Sequence, residues 1–528
     1  MNDQSFWISV NDLKAYANAF YGLIPGGVSV LDDTDSDIQV PNDINSFLWG
    51  QYVVPTEGGV WQKSNWQNIR NINYFMTHYQ SVQAAEADVN IYVAEMRFFR
   101  ALEYFNKIQL LGDVPWLEVD LNVDSEELYG PKMKRNQVFQ KIIEDLDFAI
   151  QWLPEAGSEE ANRLNKDIAR HVKARFCLNE GTHYKYHDEL EYASEAEKWL
   201  QMAATESDKL ITSGRYEIYN TGHPQEDYFN MYRIDDKSDL KEAVLYVDYK
   251  TNIREHNMAA AGREAGCGFS KSFVESFLCS DGLPISLSNK YLGDETMRKE
   301  TANRDPRLKQ LILTNDFPTN VTDDLKDSTF VVNEDEFITQ HCFTGYRPIK
   351  GFNPIYSQAL YMKSSFDGIA YRYAETLLIN AEAKAELNTI TNADLDRTVN
   401  QLRDRVGMPH LTVNVGFTDP KWPDWGYSLS PVLQEIRRER CIELAGEGFR
   451  FNDLKRWKAG KLLNNVLTYV GKRKPDGNLA IVYPNYTNPD LSYQAGKSRT
   501  WEDKMDLYPI PTGELQRNPQ LLPQNPGW

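Results

Sequence analysis

The chain has 528 residues, enough for about three ordinary domains or one large one. Its 57 Lys and Arg residues against 76 Asp and Glu residues give a net charge of −19, spread along the whole chain. Such a field repels phosphate backbones, and no run of basic residues makes a local exception. The composition therefore predicts no nucleic-acid partner and fits a neutral ligand.

The cysteines argue against a protein held together by disulfides or zinc, and the hydropathy pattern argues against one with membrane-spanning helices. Five cysteines, far apart and without a CxxC pair, argue against a disulfide framework and against a zinc knuckle. No apolar stretch of about 18 residues occurs, so no membrane-spanning helix is predicted. The first residues also lack the basic and apolar regions of a signal peptide.

Helical periodicity dominates the first 215 residues. The clearest apolar stripe recurs at steps of four and three, at Ala94, Phe98, Ala101, Phe105 and Ile108. Gly112 ends this helix, and similar stripes predict helices over 138–153, 168–176 and 196–203. Successive amphipathic helices with short breaks are typical of stacked helical hairpins such as tetratricopeptide repeats.

The pattern changes after about residue 242. Residues 243–249 are typical of a strand, and 311–368 lack any long helical stripe, so they predict irregular structure with short strands. Helices are predicted again over 374–385 and 395–406, and from Pro431 to Gly446. The end of the chain, 508–528, holds five prolines and is expected to be mostly extended. The predicted fold is mainly α, with a helical-hairpin scaffold that positions a large loop-rich part.

Catalytic signatures are missing: the sequence has no HExxH, no GxSxG and no Walker loop, and we expect no enzyme. A pair of catalytic carboxylates cannot be chosen among 76 acidic residues. The densest ionic group is Glu439, Arg440, Glu443, Glu447, Arg450 and Arg456. Spacings of three and four favour a salt-bridge network over an anion site.

A calcium site is a weak alternative in the first acidic loop. Asp33, Asp35 and Asp37 alternate as in the first half of an EF-hand loop. Ile38 replaces the required glycine and Ile44 replaces the bidentate glutamate, so the segment is not an EF-hand. We expect a solvated acidic loop and no required cofactor, with a looser calcium site as the other possibility.

Aromatic residues in polar loops are the candidates for ligand binding. Trp49 and Tyr52 lie beside Asp43, and a ring next to carboxylates and amides suits a sugar, whose apolar face stacks while its hydroxyls need partners. Tyr291, Trp422 and Trp425 lie in similar loops. The alternative is that such rings only hold their loops to the scaffold, which we favour for Trp61 and Trp66 at a helix start.

A series of short motifs runs along almost the whole chain. In the first half they are Ala94 to Ala101, Leu111-Gly112-Asp113-Val114-Pro115 and Ile143-Glu144-Asp145-Leu146-Asp147. In the middle they are Ser280-Asp281-Gly282, Arg304-Asp305-Pro306-Arg307 and Arg372-Tyr373-Ala374-Glu375. The most specific are Glu439-Arg440-Cys441-Ile442-Glu443-Leu444 with Gly448-Phe449-Arg450, followed by Tyr508-Pro509-Ile510-Pro511 and Asn518-Pro519.

In this order the motifs resemble the SusD/RagB family of outer-membrane nutrient-binding lipoproteins of Bacteroidetes. The resemblance implies one SusD-like domain over 1–528 with a TPR-like scaffold at about 60–215 and 369–460. It also implies an irregular ligand-side region at about 216–368, joined by loops 25–60 and 407–430.

The resemblance further implies a non-enzymatic protein that captures oligosaccharides and acts as a hinged lid on a TonB-dependent, SusC-like transporter in polysaccharide utilization. It implies a surface-exposed lipid anchor at the outer membrane. The family's signal peptide and lipidated cysteine are not in this chain, so we expect a trimmed form. The alternatives are a peptide-binding RagB-like lid, a structural subunit without a ligand and, from a different class, a glycoside hydrolase.

Overall fold

A computed structural model describes residues 6–27, 29, 31–41, 45–481 and 499–528. In this part of the chain the first helices are α1 (Val10–Asn18), α2 (Gln67–His78), α3 (Glu86–Leu111), α4 (Arg135–Trp152), α5 (Lys166–Tyr186), α6 (Ala196–Ser213), α7 (Asp227–Asn230), α8 (Met258–Glu264) and α9 (Lys271–Ser276). They are followed by α10 (Met297–Thr301), α11 (Arg307–Leu311), α12 (Tyr373–Glu386), α13 (Asn392–Arg397), α14 (Val399–Arg405), α15 (Pro431–Glu443), α16 (Arg450–Arg456) and α17 (Thr512–Arg517).

The strands are short and form two-stranded antiparallel ribbons. They are β1 (Gln39–Pro41), β2 (Ala243–Val247), β3 (Cys267–Phe269), β4 (Pro318–Val321), β5 (Ser328–Phe330), β6 (Gly368–Arg372), β7 (Val470–Arg473) and β8 (Leu479–Ile481). The pairs are β1 with β3, β2 with β6, β4 with β5 and β7 with β8. In the first pair Gln39 lies opposite Phe269, which brings residues far apart in sequence together.

The chain divides into two compact units. The first unit comprises 1–25, 52–176 and 502–528, and the second comprises 26–51 and 177–501. In the first unit α3 packs against both α2 and α4. The helix ends at Gly112, whose φ of 72° suits a residue without a Cβ, as the sequence predicts. Pro154 follows the end of α4 and prevents its continuation.

The second unit is built around α12, which packs against α6 and α15. Most of α12 is buried, including Leu377 and Leu378 at 0% exposure. Helix α15 begins with Ser430, whose side chain accepts a hydrogen bond from the backbone N–H of Leu433, and Pro431 occupies the first turn. Both features make this start recognisable from the sequence.

The predicted fold class is confirmed as mainly α, with TPR-like helical hairpins, a loop-rich part and a few short strands. No helix among the described residues is long and apolar enough to cross a bilayer. The family-based single domain over 1–528 stays a prediction.

Two predicted elements differ from the structure. The stripe over 395–406 forms two helices, α13 and α14, because Thr398 between them departs from helical geometry with φ −130° and ψ −96°. The segment 508–528 is partly helical rather than mostly extended. Its prolines lie where a helix tolerates them, with Pro511 before α17 and Pro519 in the first turn of a short 3₁₀ helix.

The ionic group around α15 is a buried salt-bridge network, as the spacing predicts. The Glu443 carboxylate, 0% exposed, accepts hydrogen bonds from Arg405 at 2.6 and 2.7 Å, from Arg372 at 2.6 Å and from Arg307 at 3.0 Å. The other members are also paired: Glu439 with Arg403, Arg440 with Asp453, Glu447 with Lys350, Arg450 with Asp37 and Arg456 with Glu382. Charges in this network hold helices and loops of the second unit together.

Candidate functional site

Helix α9 brings together loops that carry predicted ligand residues. It starts at Ser270, whose hydroxyl accepts from the N–H of Phe273 and donates to the carbonyl of Asp37 at 2.7 Å. Lys271 and Glu275 are four residues apart, so they share one face of α9, with Nζ and Oε1 3.8 Å apart. These two side chains make the contacts that define the site.

At the start of α9, Lys271 binds carboxylates from the next segment of the chain. Its ammonium lies 2.8 Å from Asp294, in the loop between α9 and α10, and 2.5 Å from Glu300 on α10. Burial disfavours the charge on Lys271, but the two carboxylates outweigh it, and the pKa of Lys271 is raised. The hydroxyl of Tyr346 completes the cluster by donating to Glu300 at 2.8 Å.

Asp294 also connects this cluster to the β7–β8 ribbon. Arg473, the last residue of β7, donates from Nε to Asp294 at 2.9 Å. Burial would raise the pKa of Asp294, but hydrogen bonds from Arg473 and Lys271 outweigh burial and hold the pKa at about 2. Asp294 is therefore an ionised hydrogen-bond acceptor at neutral pH.

Tyr291 lies in the same loop as Asp294 and is half-buried. The guanidinium of Arg304 lies 5.4 Å from the centre of its ring, which is within the range of a cation–π contact. Burial raises the pKa of Tyr291 well above its ordinary value, and the charges of Glu300 and Glu275 act in the same direction. The phenol is therefore neutral at pH 7 and can both donate and accept a hydrogen bond.

One turn further along α9, Glu275 binds the loop between α14 and α15. Lys421 places its ammonium 2.9 Å from Glu275, and Trp422 follows Lys421 directly. The indole N–H of Trp422 donates to Glu435 at 2.7 Å, which fixes a half-buried ring. Tyr291 and Trp422, 131 positions apart in sequence, thus belong to segments that meet at one short helix. We call this group the α9 site; it consists of Lys271, Glu275, Tyr291, Asp294, Lys421, Trp422 and Arg473.

Trp425 lies close to Trp422 in sequence but has a different environment. It is 6% exposed, and its indole N–H donates to Gln434 at 2.7 Å. Its ring contacts Trp457 edge-on at 5.5 Å and lies 4.7 Å from the guanidinium of Arg437. The ring is committed to packing and offers little surface to a ligand in this conformation.

Trp49 belongs to the second unit and is half-buried. Its ring meets Tyr469 edge-on at 5.6 Å, and both pack on a small apolar cluster that includes Val40 and Phe343. Tyr469 directly precedes β7, the strand that ends at Arg473 in the α9 site. Trp49 thus lies at the opposite end of the strand from the α9 site.

The other two predicted ligand residues are Tyr52 and Asp43. Tyr52 belongs to the first unit, where its ring meets Tyr508 at 5.8 Å and Trp528 at 5.7 Å, both edge-on. Asp43 lies outside the described residues. The predicted ligand set therefore does not form one cluster in the described part of the chain.

The three aspartates of the weak calcium prediction have protein partners. Asp33, 1% exposed, accepts from the backbone N–H groups of Gly446 at 2.6 Å and Arg450 at 3.1 Å. Arg450 also holds Asp37 through two hydrogen bonds of 2.7 and 2.8 Å, and Asp35 accepts from Asn45. Among the described residues no group of three or more His, Cys, Asp or Glu side chains is placed to hold a metal ion. Calcium binding stays a prediction.

The structure also places aromatic residues that the sequence did not single out. Tyr356 and Tyr361 are 50% and 77% exposed, on the loop between β5 and β6. Nothing in the sequence marks these two tyrosines as better ligand candidates than the other aromatic residues, because their exposure depends on the conformation of this loop in the folded chain. Lys271 and Glu275 were missed for a similar reason, since their partners are remote in sequence.

Comparisons with known proteins agree on one family. The sequence profile described as "SusD family" matches residues 212–528. SusD-like protein P2 of Formosa agariphila is 23% identical over 558 aligned positions, covering 99% of this chain and 94% of the relative. SusD-like protein P25 of the same organism is also 23% identical and covers 96% of this chain and 88% of the relative.

Solved structures show the same fold. A SusD-like protein from Bacteroides fragilis superposes with a TM-score of 0.75 at 24% identity, covering all of this chain and 99% of that one. A SusD-like carbohydrate binding protein from the same species superposes with a TM-score of 0.73 at 20% identity, covering 98% and 100%. A laminarin binding SusD-like protein superposes with a TM-score of 0.57 at 18% identity, covering 99% and 100%. The family resemblance of the sequence motifs is confirmed, and this chain belongs to the SusD family.

Proposed function

We propose that this protein binds glycans and that the α9 site is where it does so. The observation that carries the proposal is that two ion pairs join α9 to the loops that carry two half-buried rings, Tyr291 and Trp422. Rings of this kind stack on the apolar face of a sugar, while charged and hydroxyl groups beside them take its hydroxyls. Two SusD-like structures of the same fold are described as carbohydrate binding and laminarin binding, which supports the choice of ligand class.

The polar groups of the α9 site suit neutral hydroxyl groups. Asp294 and Glu275 are each 17% exposed beside their cations, so each offers carboxylate oxygens as acceptors at the surface. Lys421 and Arg473 are 51% and 37% exposed and can donate. A sugar hydroxyl both donates and accepts hydrogen bonds. It can therefore bond to the carboxylate and to the cation of such an ion pair while both keep their charges.

A glycoside hydrolase, the alternative from another class, receives no support from these carboxylates. A retaining or inverting hydrolase needs one carboxylic acid that keeps its proton near neutral pH. Asp294 has a pKa of about 2, and Glu275 lies 2.9 Å from the Lys421 ammonium. Neither is suited to be the general acid, and we propose a binding protein without catalytic activity.

The biological setting proposed here follows from family membership. We infer a surface-exposed, lipid-anchored position at the outer membrane and a partnership with a TonB-dependent, SusC-like transporter, for which the protein would act as a lid. Ligand binding would favour the closed lid by mass action on the two states. The gene for such a transporter beside the gene for this chain is the observation that would support the partnership.

Calorimetric titration against oligosaccharides tests the binding function. The purified chain is expected to bind at least one glycan, with Tyr291→Ala and Trp422→Ala each weakening the affinity about tenfold, the scale of one lost stacking contact. Tyr129→Ala is the matched control, because Tyr129 is a 53% exposed ring in the first unit. Circular dichroism checks that the variants fold.

The outcomes separate the competing functions. Binding of peptides with no response to any glycan would replace the proposal with a peptide-binding lid. Release of products from a polysaccharide, lost on changing one Asp or Glu, would establish a hydrolase. Transporter binding without any ligand would indicate a structural subunit. Normal glycan affinity in both ring variants would place the site elsewhere in the chain.

A further inference from the structure

Arg263 and Arg347 of the second unit form no ion pair with any described carboxylate, in a chain that carries 76 acidic residues. Arg347 donates from Nε and Nη2 to the carbonyl oxygen of Gly262, at 3.0 and 2.9 Å, and pairs with no carboxylate in the described part of the chain. The side chain of Arg263, in the last turn of α8, makes neither a hydrogen bond nor an ion pair with any described residue. Both residues are half-buried.

The lack of a counter-ion contrasts with the arginines of the buried salt-bridge network around α15. Arg372, for example, is held by Glu242, Glu443 and Glu447 at 2.6 to 2.8 Å. Burial lowers the pKa of Arg347, and the nearby positive charge of Arg263 lowers it as well. The charges of Arg263 and Arg347 thus act against each other, and neither forms an ion pair with a described carboxylate, an arrangement that an anion would stabilise.

The two arginines lie at one end of a surface that also presents exposed aromatic rings. Phe352 packs against Gly262 near the end of α8, since a Cβ added there would lie 3.1 Å from the Phe352 ring. At the start of α8, the side chain of Asn257 accepts from the backbone N–H of Met362 at 3.1 Å. Loop 352–362 thus runs along α8 from its last turn to its first, and it carries Tyr356 and Tyr361. We call α8 and this loop the α8 surface.

The chemistry of this surface is that of an acidic sugar ligand. A guanidinium forms strong paired hydrogen bonds with carboxylate and sulfate groups. The bonds to Gly262 fix the orientation of Arg347 through Nε and Nη2, and they leave Nη1 without a protein partner in the described residues. Exposed tyrosines supply the stacking face that a pyranose ring needs.

We propose that the α8 surface binds the carboxylate or sulfate group of an acidic glycan through Arg263 and Arg347, while Tyr356 and Tyr361 contact the sugar rings. This inference rests on the proposed glycan-binding function and narrows its ligand to an anionic class. It departs from the neutral ligand that the net charge of −19 favours. At physiological ionic strength charges beyond about 8 Å are screened, so the net charge of the whole chain does not prevent a local contact between an arginine and an anion.

A purely structural role for the arginines makes a different prediction. Arg347 also stabilises the end of α8 by donating to the Gly262 carbonyl, as cations near helix C-termini do. If that were its whole role, substitutions would lower thermal stability without changing ligand affinity. Arg263 makes no such bond, so Arg263→Met is the cleaner variant, and Arg347→Lys keeps the charge while losing the paired geometry.

The test compares three probes of equal chain length by calorimetry: oligogalacturonate, a sulfated carrageenan oligosaccharide and a neutral malto-oligosaccharide. The chain is expected to bind one of the acidic probes, with Arg263→Met weakening that affinity about tenfold or more and Arg347→Lys, which keeps the charge, weakening it by less. The affinity should fall as NaCl rises, and this salt dependence should shrink in Arg263→Met. Whichever acidic probe binds identifies the carboxylate or the sulfate as the recognised group.

Arg298→Met is the matched control, since Arg298 is a 65% exposed arginine paired with Asp316 on the surface. It should leave every affinity unchanged. Binding of the neutral probe alone, or equal acidic affinity in the Arg263→Met and unmodified proteins, would overturn the anionic site and leave the proposed function intact. Binding of none of the probes and of no other glycan would overturn both.

Discussion

Replacing Glu443 by glutamine removes the charge at the centre of the buried network. The carboxylate accepts four hydrogen bonds from Arg405, Arg372 and Arg307, at 2.6 to 3.0 Å, and is 0% exposed. A glutamine keeps one acceptor oxygen and turns an NH₂ group toward guanidinium donors. Removing one partner of a buried ion pair costs about 3–5 kcal/mol of unfolding free energy, because the remaining charge stays buried.

The surrounding contacts place the expected loss at the lower end of that range. Arg372 keeps Glu447 at 2.6 Å and Glu242 at 2.8 Å, whereas Arg405 keeps only Glu242 at 3.4 Å. We therefore expect Glu443→Gln to lower the free energy of unfolding by about 3 kcal/mol. Urea unfolding at pH 7, followed by circular dichroism and by tryptophan fluorescence, measures the loss and shows whether the two signals coincide.

Glu217→Gln is the matched control, since Glu217 is 64% exposed and pairs with Lys241 at the surface. It should cost less than about 1 kcal/mol. A loss below about 1 kcal/mol for Glu443→Gln as well would refute the reasoning. It would mean that the network adapts to the missing charge.

The pH dependence gives a second measurement on the same variant. Burial would raise the pKa of Glu443, but Arg405 and Arg372 outweigh it and hold the pKa well below its ordinary value. The stabilisation is therefore complete above the ordinary glutamate pKa and is lost as the pH falls below it. Between about pH 4 and pH 3, the free energy of unfolding should decline less steeply in Glu443→Gln than in the unmodified protein. The difference in slope should reach up to about 1.4 kcal/mol per pH unit, the value for one proton. An identical decline in both proteins would contradict the lowered pKa.

Three further substitutions test the fold by urea unfolding. Gly471→Ala should cost about 1–3 kcal/mol, because a Cβ there would lie 2.0 Å from the carbonyl oxygen of Thr344, whereas Gly22→Ala, with no atom within 4 Å, should be nearly neutral. Leu378→Ala, at a 0% exposed position of α12, should cost about 2–5 kcal/mol, and a loss below 1 kcal/mol would contradict its place in the core. Ser430→Ala should cost about 1 kcal/mol by removing the cap of α15, and no loss would show that the cap is dispensable.

The helical scaffold could be predicted from the sequence because its signals are local. Apolar stripes at helical spacing mark α3 and α12, and Gly112 and Pro154 mark helix ends within one or two residues. The prediction was wrong where an apolar stripe continues through a break in the helix, as at Thr398. It was also wrong for 508–528, because a proline that precedes a helix or lies in its first turn does not prevent that helix, whatever the number of prolines.

The candidate site could be predicted only in part because it depends on contacts between remote segments. Tyr291 and Trp422 were chosen for lying in polar loops, and the structure joins their loops through α9. Trp425, chosen by the same criterion, packs against Trp457 instead. An aromatic residue that faces a ligand and one that packs into the core can have the same neighbours in the sequence. Only their burial in the folded chain distinguishes them.

The net charge of −19 shows why the composition of a chain does not determine the charge of its binding site. In the second unit, buried acidic residues such as Glu443 and Asp37 are matched by arginines that lie within hydrogen-bond distance. These pairs cancel locally and contribute nothing to the excess of acidic residues. A bound ligand contacts the charges of its own site, and Arg263 and Arg347 are two positive charges without an ion-pair partner among the described residues. An acidic overall composition and a site for an acidic ligand are therefore compatible in one chain, because recognition acts over hydrogen-bond distances while net charge acts over the whole molecule.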